Sequence, residues 1–170
     1  MFQADLSSRS ITALDPEYEA IREETSFSFS RFSTFATCDC EIESTPQRVI
    51  DAVRSSRFIG LLIPTQYGGR GLDCLARLVN IETAARVFPG LGAALQIAQL
   101  GTKAVLEFGT EAQKEALLPE FASGQLICTI AITERDSCSH VKACDTTYRR
   151  INGNMIINGE QWFIENWPLA

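Results

Sequence analysis

Apolar residues in the first 124 positions recur mostly every three or four residues, the spacing of helices with one buried face. The clearest helix ends at Gly109, and its face carries Leu91, Leu95, Ala98, Thr102, Val105 and Leu106. After Gly124 the period falls to two, which is typical of strands. The change predicts a helical domain over residues 1–124 and a partial antiparallel β unit over residues 125–170.

Several helix starts are marked by a capping residue, which at some of them is followed by proline or belongs to a capping box. They are Asp15-Pro16, Thr45-Pro46, Asp73 and Thr110-Glu111-Ala112-Gln113. The segment 26–35 fits two periods, because its phenylalanines alternate at first and then recur every three residues. We interpret it as helix. The helix that opens at Thr110 is expected to close near Ser123 and Gly124.

A glycine-rich segment over residues 63–72 carries three glycines within four positions, at 68, 69 and 71. Such a cluster indicates a shaped loop that needs positive φ or close backbone approach. In the helix that follows, Leu75, Leu78 and Val79 share one face, and Glu82 continues it. Glu82 is therefore either a ligand contact or a paired acid at the edge of that face.

The β unit is predicted as four segments. They are Leu126 to Thr133, Val141 to Ile151, Met155 to Ile157 and Glu160 to Ile164. Asn152-Gly153 joins the second segment to the third and is the residue pair that a type I′ hairpin turn prefers.

Composition narrows the function classes for this chain of 170 residues, which is 45% apolar and 21% charged, with a net charge of −6. These values are typical of a globular protein, and the negative charge argues against a nucleic-acid partner. Its apolar runs are too short to span a membrane, and the first residues lack a signal-peptide pattern, so a cytoplasmic location is expected.

The six cysteines do not predict a metal site, because no C-x-x-C occurs and His140 is the only histidine. Cys74 and Cys128 are interpreted as small core residues. New chemistry from Cys138 or Cys144 beside His140 is a further hypothesis, although a Cys–His pair so close in sequence is rarely arranged for catalysis.

Three stretches resemble the acyl-CoA dehydrogenase family, in the right order, and together they cover about residues 58–166. The first is I-P-T-Q-Y-G-G-R-G-L at 63–72 with I-E-T-A-A-R at 81–86. The second is F-G-T-E-A-Q-K at 108–114 with Leu118-Pro119 and Ser123-Gly124. The third is A-I-T-E at 131–134 with N-G-E at 158–160 and Ile164.

The resemblance implies a helical N-terminal domain, a middle β-barrel and a C-terminal helical bundle, with FAD between barrel and bundle. It implies oxidation of an acyl thioester at Cα–Cβ, in which a carboxylate removes the Cα proton while a hydride leaves Cβ. In most of the family that base is a glutamate of the bundle, so no catalytic residue is assigned in this chain.

The same resemblance suggests which residues contact the cofactor and the substrate. Ile130, Ile132 and Thr133 match the strand along the flavin ring, and Phe163 is expected to cover the ring. Ser139 matches a serine that faces the cofactor phosphates and the thioester ligand. Glu82 resembles an acid near the closed end of the acyl cavity.

Two family motifs are altered in this chain. The loop T-E-P-x-A-G-S-D reads T-E-R-D-S-C-S-H at 133–140, and N-G-x-K-x-[W/F]-I-[T/S]-N reads N-G-E-Q-W-F-I-E-N at 158–166. Gln161 thus stands at the lysine position, and Glu165 stands where a hydroxyl residue donates to the flavin N5. An ionised carboxylate cannot donate that bond.

These features lead to two functional hypotheses. In the first, the chain is a partial subunit of a flavoprotein that acts on acyl-CoA or acyl carrier protein thioesters. A second family-like chain completes it, or it forms a homo-oligomer. The isolated chain is then expected to be inactive. In the second, the chain is a non-catalytic relative that serves as a binding or scaffolding protein.

Overall fold

The computed structural model describes residues 14–37, 47–137 and 139–165. Within these ranges the helices are α1 (Pro16–Phe29), α2 (Gln47–Ser55), α3 (Cys74–Val87), α4 (Pro89–Phe108) and α5 (Glu111–Ser123), and the strands are β1 (Thr147–Ile151) and β2 (Asn154–Asn158). The predicted fold class, mainly helical and then antiparallel β, is confirmed. In the described part of the chain, no helix combines the length and apolar character needed to cross a bilayer.

Most predicted helix ends lie where the capping signals place them. The Asp73 carboxylate accepts from the Ala76 amide at 2.9 Å and so caps α3. Thr110 and Gln113 form the reciprocal capping box, with distances of 3.3 and 2.9 Å. Helix α5 ends at Gly124, whose φ of 77° suits glycine. The Thr45-Pro46 signal lies outside the described residues.

The segment 26–35 is helical, as predicted. Helix α1 runs to Phe29, and a 3₁₀-helix continues over Ser30–Thr37. Phe29 lies fully buried with its ring centroid 5.7 Å from that of Phe58. The period of three residues therefore reflects burial against the segment that follows α2, because a 3₁₀-helix places every third side chain on one face.

Helix α4 forms the centre of the core and packs against α3 and α5. Leu91, Leu95 and Ala98 are fully buried on it, as its apolar period predicts. The same helix carries Gln99, whose buried amide Nε2 donates to the Phe58 carbonyl at 2.8 Å and to the Asn80 Oδ1 at 3.1 Å. A polar connection thus runs through the helical core.

The outer face of α3 differs from the interpretation of its sequence. Val79 is buried, but Leu75 and Leu78 are 43% and 56% exposed. Cys74, expected in the core, is also exposed. The physical reason is that α3 packs against α1 and α4 through Ala76, Val79 and Asn80. Cys74, Leu75 and Leu78 therefore lie on the opposite, exposed side of the helix.

The predicted hairpin is present. Strands β1 and β2 pair antiparallel, with Tyr148 opposite Ile157. Asn152 and Gly153 have φ values of 52° and 82°, as a type I′ turn requires. Residues 141–143, predicted as strand, instead form a 3₁₀-helix.

The first and last predicted segments are not strands. Leu126 to Thr133 and Glu160 to Ile164 have the alternating pattern but form no ladder in the described residues. A strand requires a neighbour that exchanges backbone hydrogen bonds along its length. Among the described residues, one backbone bond joins the two segments, from the Trp162 amide to the Thr133 carbonyl at 2.8 Å.

Candidate functional site

A pocket of about 210 Å³ opens where residues 130–133 face residues 162–165 beside helix α4. It is lined by Ile97, Leu100, Ile130, Ile132, Thr133, Trp162, Phe163, Ile164 and Glu165. The structure thereby brings together five residues that the sequence predicted as flavin contacts. Its walls are mostly aliphatic or aromatic. Thr133 adds a hydroxyl group, and Glu165 adds a carboxylate.

The first pocket wall is residues 130–133, and the segment that leads into it contacts α4 closely where Cys128 meets Gly101. A Cβ added at Gly101 would lie 2.5 Å from the Cys128 Sγ, so a larger residue there would push this segment away. Burial raises the pKa of the Cys128 thiol, because the thiolate would lose solvation. Ile127, next to it, is buried in the core. The predicted interior location therefore fits Cys128.

The second wall approaches the first through hydrogen bonds. The Thr129 hydroxyl donates to the Glu165 carbonyl, and the Trp162 amide donates to the Thr133 carbonyl. Phe163 has a φ of 56°, which is unusual for an aromatic residue, and its side chain is 87% exposed. Strained backbone of this kind is often found at functional sites. The Phe163 ring thus lies largely open to solvent at the pocket, beside the Trp162 ring, whose centroid is 6.4 Å away.

Glu134 has a role that the sequence reading did not assign. Its side chain is buried, and its Oε2 accepts from the Asp145 amide at 2.5 Å. Its Oε1 accepts from the Thr146 amide at 3.0 Å and from Gln161 Nε2 at 3.3 Å. The hydrogen bonds from the Thr146 hydroxyl and then from the Asp145 amide lower the pKa of Glu134. The sequence signal that could have indicated this buried role is a carboxylate directly after the apolar segment 126–133.

The two remaining predicted site residues are not among the described lining of this pocket. Glu82 lies on the exposed side of α3 and forms an ion pair with Arg86 at 2.7 Å. Ser139 is exposed in the loop after Glu134. Their predicted contacts with substrate and cofactor phosphates remain predictions.

The pocket residues fit a flavin ring in part. Apolar walls suit an aromatic ring system, and Thr133 can donate a hydrogen bond to its polar edge. Glu165 does not fit as a donor to that ring, because its carboxylate only accepts when ionised. The lining thus has the polarity that an aromatic cofactor ring needs, with one residue of the wrong chemistry.

Comparison with known proteins points to the family that the sequence motifs resemble. Residues 15–125 match the family model of the acyl-CoA dehydrogenase N-terminal domain. An acyl-CoA dehydrogenase of Bacillus subtilis (strain 168) is 33% identical over 126 residues, which are 74% of this chain and 33% of that protein. The chain thus spans about a third of that relative's length.

Solved structures agree on the fold. A glutaryl-coenzyme A dehydrogenase in complex with glutaryl-CoA is 27% identical, with a TM-score of 0.82, over 93% of this chain and 41% of that chain. A glutaryl-CoA dehydrogenase from Mycobacterium smegmatis, in complex with FADH2, is 22% identical with a TM-score of 0.82. The match covers 92% of this chain and 41% of the M. smegmatis chain.

Proposed function

The chain is a member of the acyl-CoA dehydrogenase family, and on that premise we propose that it forms part of a flavin-dependent oxidoreductase acting on an acyl thioester. The observation that carries the proposal is the pocket between residues 130–133 and 162–165. It gathers five residues at which the family resemblance implies cofactor contact. Bound FAD would supply the electron sink for the hydride that leaves the β-carbon.

The residues of this chain then bind and orient the ring. Ile130 and Ile132 form an apolar surface against the flavin ring, and Phe163 covers one face of that ring. The Thr133 hydroxyl, which is partly shielded from solvent, donates to its polar edge. These contacts also exclude water, which strengthens every polar interaction within the site.

In this proposal a second chain supplies the catalytic base and the remaining walls. The family resemblance places that base in a C-terminal bundle, and these 170 residues span 33% and 41% of the two relatives compared above. The completing chain is a family-like partner or a second copy. The thioester carrier is coenzyme A or acyl carrier protein, since both present the same reacting group.

Glu165 favours a second candidate, a non-catalytic relative that binds or scaffolds. Its side chain is exposed at the pocket. Beside a reduced, anionic flavin, its negative charge is repulsive and weakens redox turnover. Replacing Glu165 by threonine restores a hydroxyl donor, so in the catalytic proposal this variant gains activity. In the scaffolding alternative, no electron acceptor is reduced by either protein.

The decisive experiment measures FAD binding by fluorescence quenching, for the chain alone and mixed with a candidate partner. Ile132→Lys places a charge in the pocket and should abolish binding. Ile151→Lys is the matched control, because Ile151 on β1 is 48% exposed and Ile132 is 47% exposed. Equal effects of the two substitutions, or no FAD bound even with partner, would refute the proposal.

A panel of acyl-CoA thioesters with an artificial electron acceptor then tests turnover. We expect no reduction by the chain alone and measurable reduction by the complex. FAD binding without any reduction in the complex would favour the scaffolding function.

A further inference from the structure

The carboxylate of Glu134 lies where three separate segments of the chain meet. It follows Thr133 of the first pocket wall directly in sequence. It accepts from the amides of Asp145 and Thr146, which precede β1. It also accepts from Gln161, which precedes the second pocket wall.

This junction is closed further by contacts around Thr146. Gln161 Nε2 donates to the Thr146 Oγ1 at 2.5 Å. A Cβ added at Gly159 would lie 2.1 Å from that same oxygen, so the backbone after β2 passes directly over it. The base of the hairpin and the start of the second wall are therefore held by one cluster of hydrogen bonds.

We propose that Glu134 is the positioning residue of the flavin pocket, and that its carboxylate sets the distance between the two pocket walls. The proposal rests on the proposed function for its ligand. Apart from this cluster, two hydrogen bonds in the described residues join the walls, Trp162 to Thr133 and Thr129 to Glu165. Without the cluster only these two bonds hold residues 161–165 to the first wall, so we expect the distance between Phe163 and Ile130 to increase.

The charge of Glu134 is required as well as its shape. Each of its oxygens accepts from a backbone N–H, Oε2 from Asp145 and Oε1 from Thr146. In Glu134→Gln one oxygen becomes an NH₂ group, so in either orientation of the amide a donor faces a donor. A neutral isostere therefore breaks a bond that an ionised carboxylate makes.

The test uses the full chain, with FAD affinity and hydrogen exchange measured on the same samples. We expect Glu134→Gln to weaken FAD binding at least tenfold, or about 1.4 kcal/mol. The exchange of residues 129–133 and 161–165 should increase, while that of α3 to α5 stays unchanged. Glu160→Gln is the matched control, because Glu160 is an exposed glutamate of the same segment.

A gain of function separates positioning from a general effect on folding. Gln161→Lys places an ammonium group near the Glu134 carboxylate, and charge-assisted bonds are about twice as strong as neutral ones. We expect a several-fold tighter FAD complex in this variant and no such gain in the Glu134→Gln background. An equal gain in both backgrounds would overturn the proposal.

The outcomes also distinguish this inference from the proposed function. If the unmodified chain binds no FAD with or without a partner, the proposed function fails, and hydrogen exchange alone decides the role of Glu134. Unchanged exchange at 129–133 and 161–165 in Glu134→Gln then refutes it. If Glu134→Gln does not fold, Gln161→Ala, which keeps both backbone bonds, must still increase exchange at 161–165.

Discussion

Replacing Gln99 by leucine should destabilise the helical core by about 0.5–3.5 kcal/mol. Gln99 is 1% exposed, and its amide donates to the Phe58 carbonyl and the Asn80 Oδ1. Leucine has a similar volume but leaves the Asn80 Oδ1 without this donor, at roughly 1–3 kcal/mol. The Phe58 carbonyl loses one of two donors, at roughly 0.5–1.5 kcal/mol, because the Leu61 amide still donates to it at 3.2 Å. Gln99 Oε1 meets no donor in the described part of the chain, so its removal returns about 1 kcal/mol.

The connection extends beyond Gln99. Asn80 Nδ2 donates to the Thr25 hydroxyl at 3.0 Å, and that hydroxyl donates to the Ile21 carbonyl at 2.7 Å. Because Asn80 is held at both ends, Thr25→Val should be non-additive with Gln99→Leu. The expected interaction energy in the double mutant is about 0.5–3 kcal/mol.

Urea unfolding followed by circular dichroism at 222 nm measures these effects. With a slope of about 2 kcal/mol per molar urea, the expected shift in midpoint is about 0.3–1.8 M. Gln96→Leu is the matched control, since Gln96 lies exposed on the same helix and surface changes stay within about 0.5 kcal/mol. Equal midpoints for Gln96→Leu and Gln99→Leu would refute the reasoning.

Three further predictions concern the loop, a tyrosine and the buried glutamate. Gly69→Ala should cost about 1–3 kcal/mol, because its Cβ would lie 2.1 Å from the Ile63 carbonyl oxygen; an unchanged urea midpoint would contradict this. The hydrogen bond to Asp73 raises the pKa of Tyr18 to about 12, so Tyr18→Phe should remove a phenolate step near pH 12 from the absorbance titration at 295 nm. The pKa of Glu134 lies below its ordinary value of 4.5, so its charge stabilises the junction above that pH and is lost as the pH falls through the lowered value. Amide exchange should show protection at residues 145 and 146 down to pH 4.5, and its loss near pH 6 would contradict the assignment.

The helical domain was largely predictable from sequence, because its signals are local. A capping box needs only Thr110 and Gln113, and both bonds form as predicted. The period of α4 identified its buried face, and Asn152-Gly153 identified the hairpin turn. Each signal involves residues a few positions apart, so the backbone conformation they favour is the one observed.

For the candidate site, the sequence predicted which residues line the pocket but not what holds the two walls together. Sequence resemblance named Ile130, Ile132, Thr133, Phe163 and Glu165, and the structure brings them to one pocket. The same reasoning left Glu134 without a role. Its partners are 11 to 27 residues away in the sequence, so no local pattern predicts them.

Sequence alone determined where most helices of the described residues begin and end, which face of α4 is buried, and where the chain turns between β1 and β2. Tertiary structure decided that Leu75 and Leu78 stay exposed, that residues 126–133 form no ladder with any other described segment, and that Glu134 is buried at a junction. The physical reason is the distance along the sequence over which each kind of interaction acts. Capping and periodicity act over one or two turns of backbone, whereas burial and the pairing of strands depend on which distant segment lies alongside.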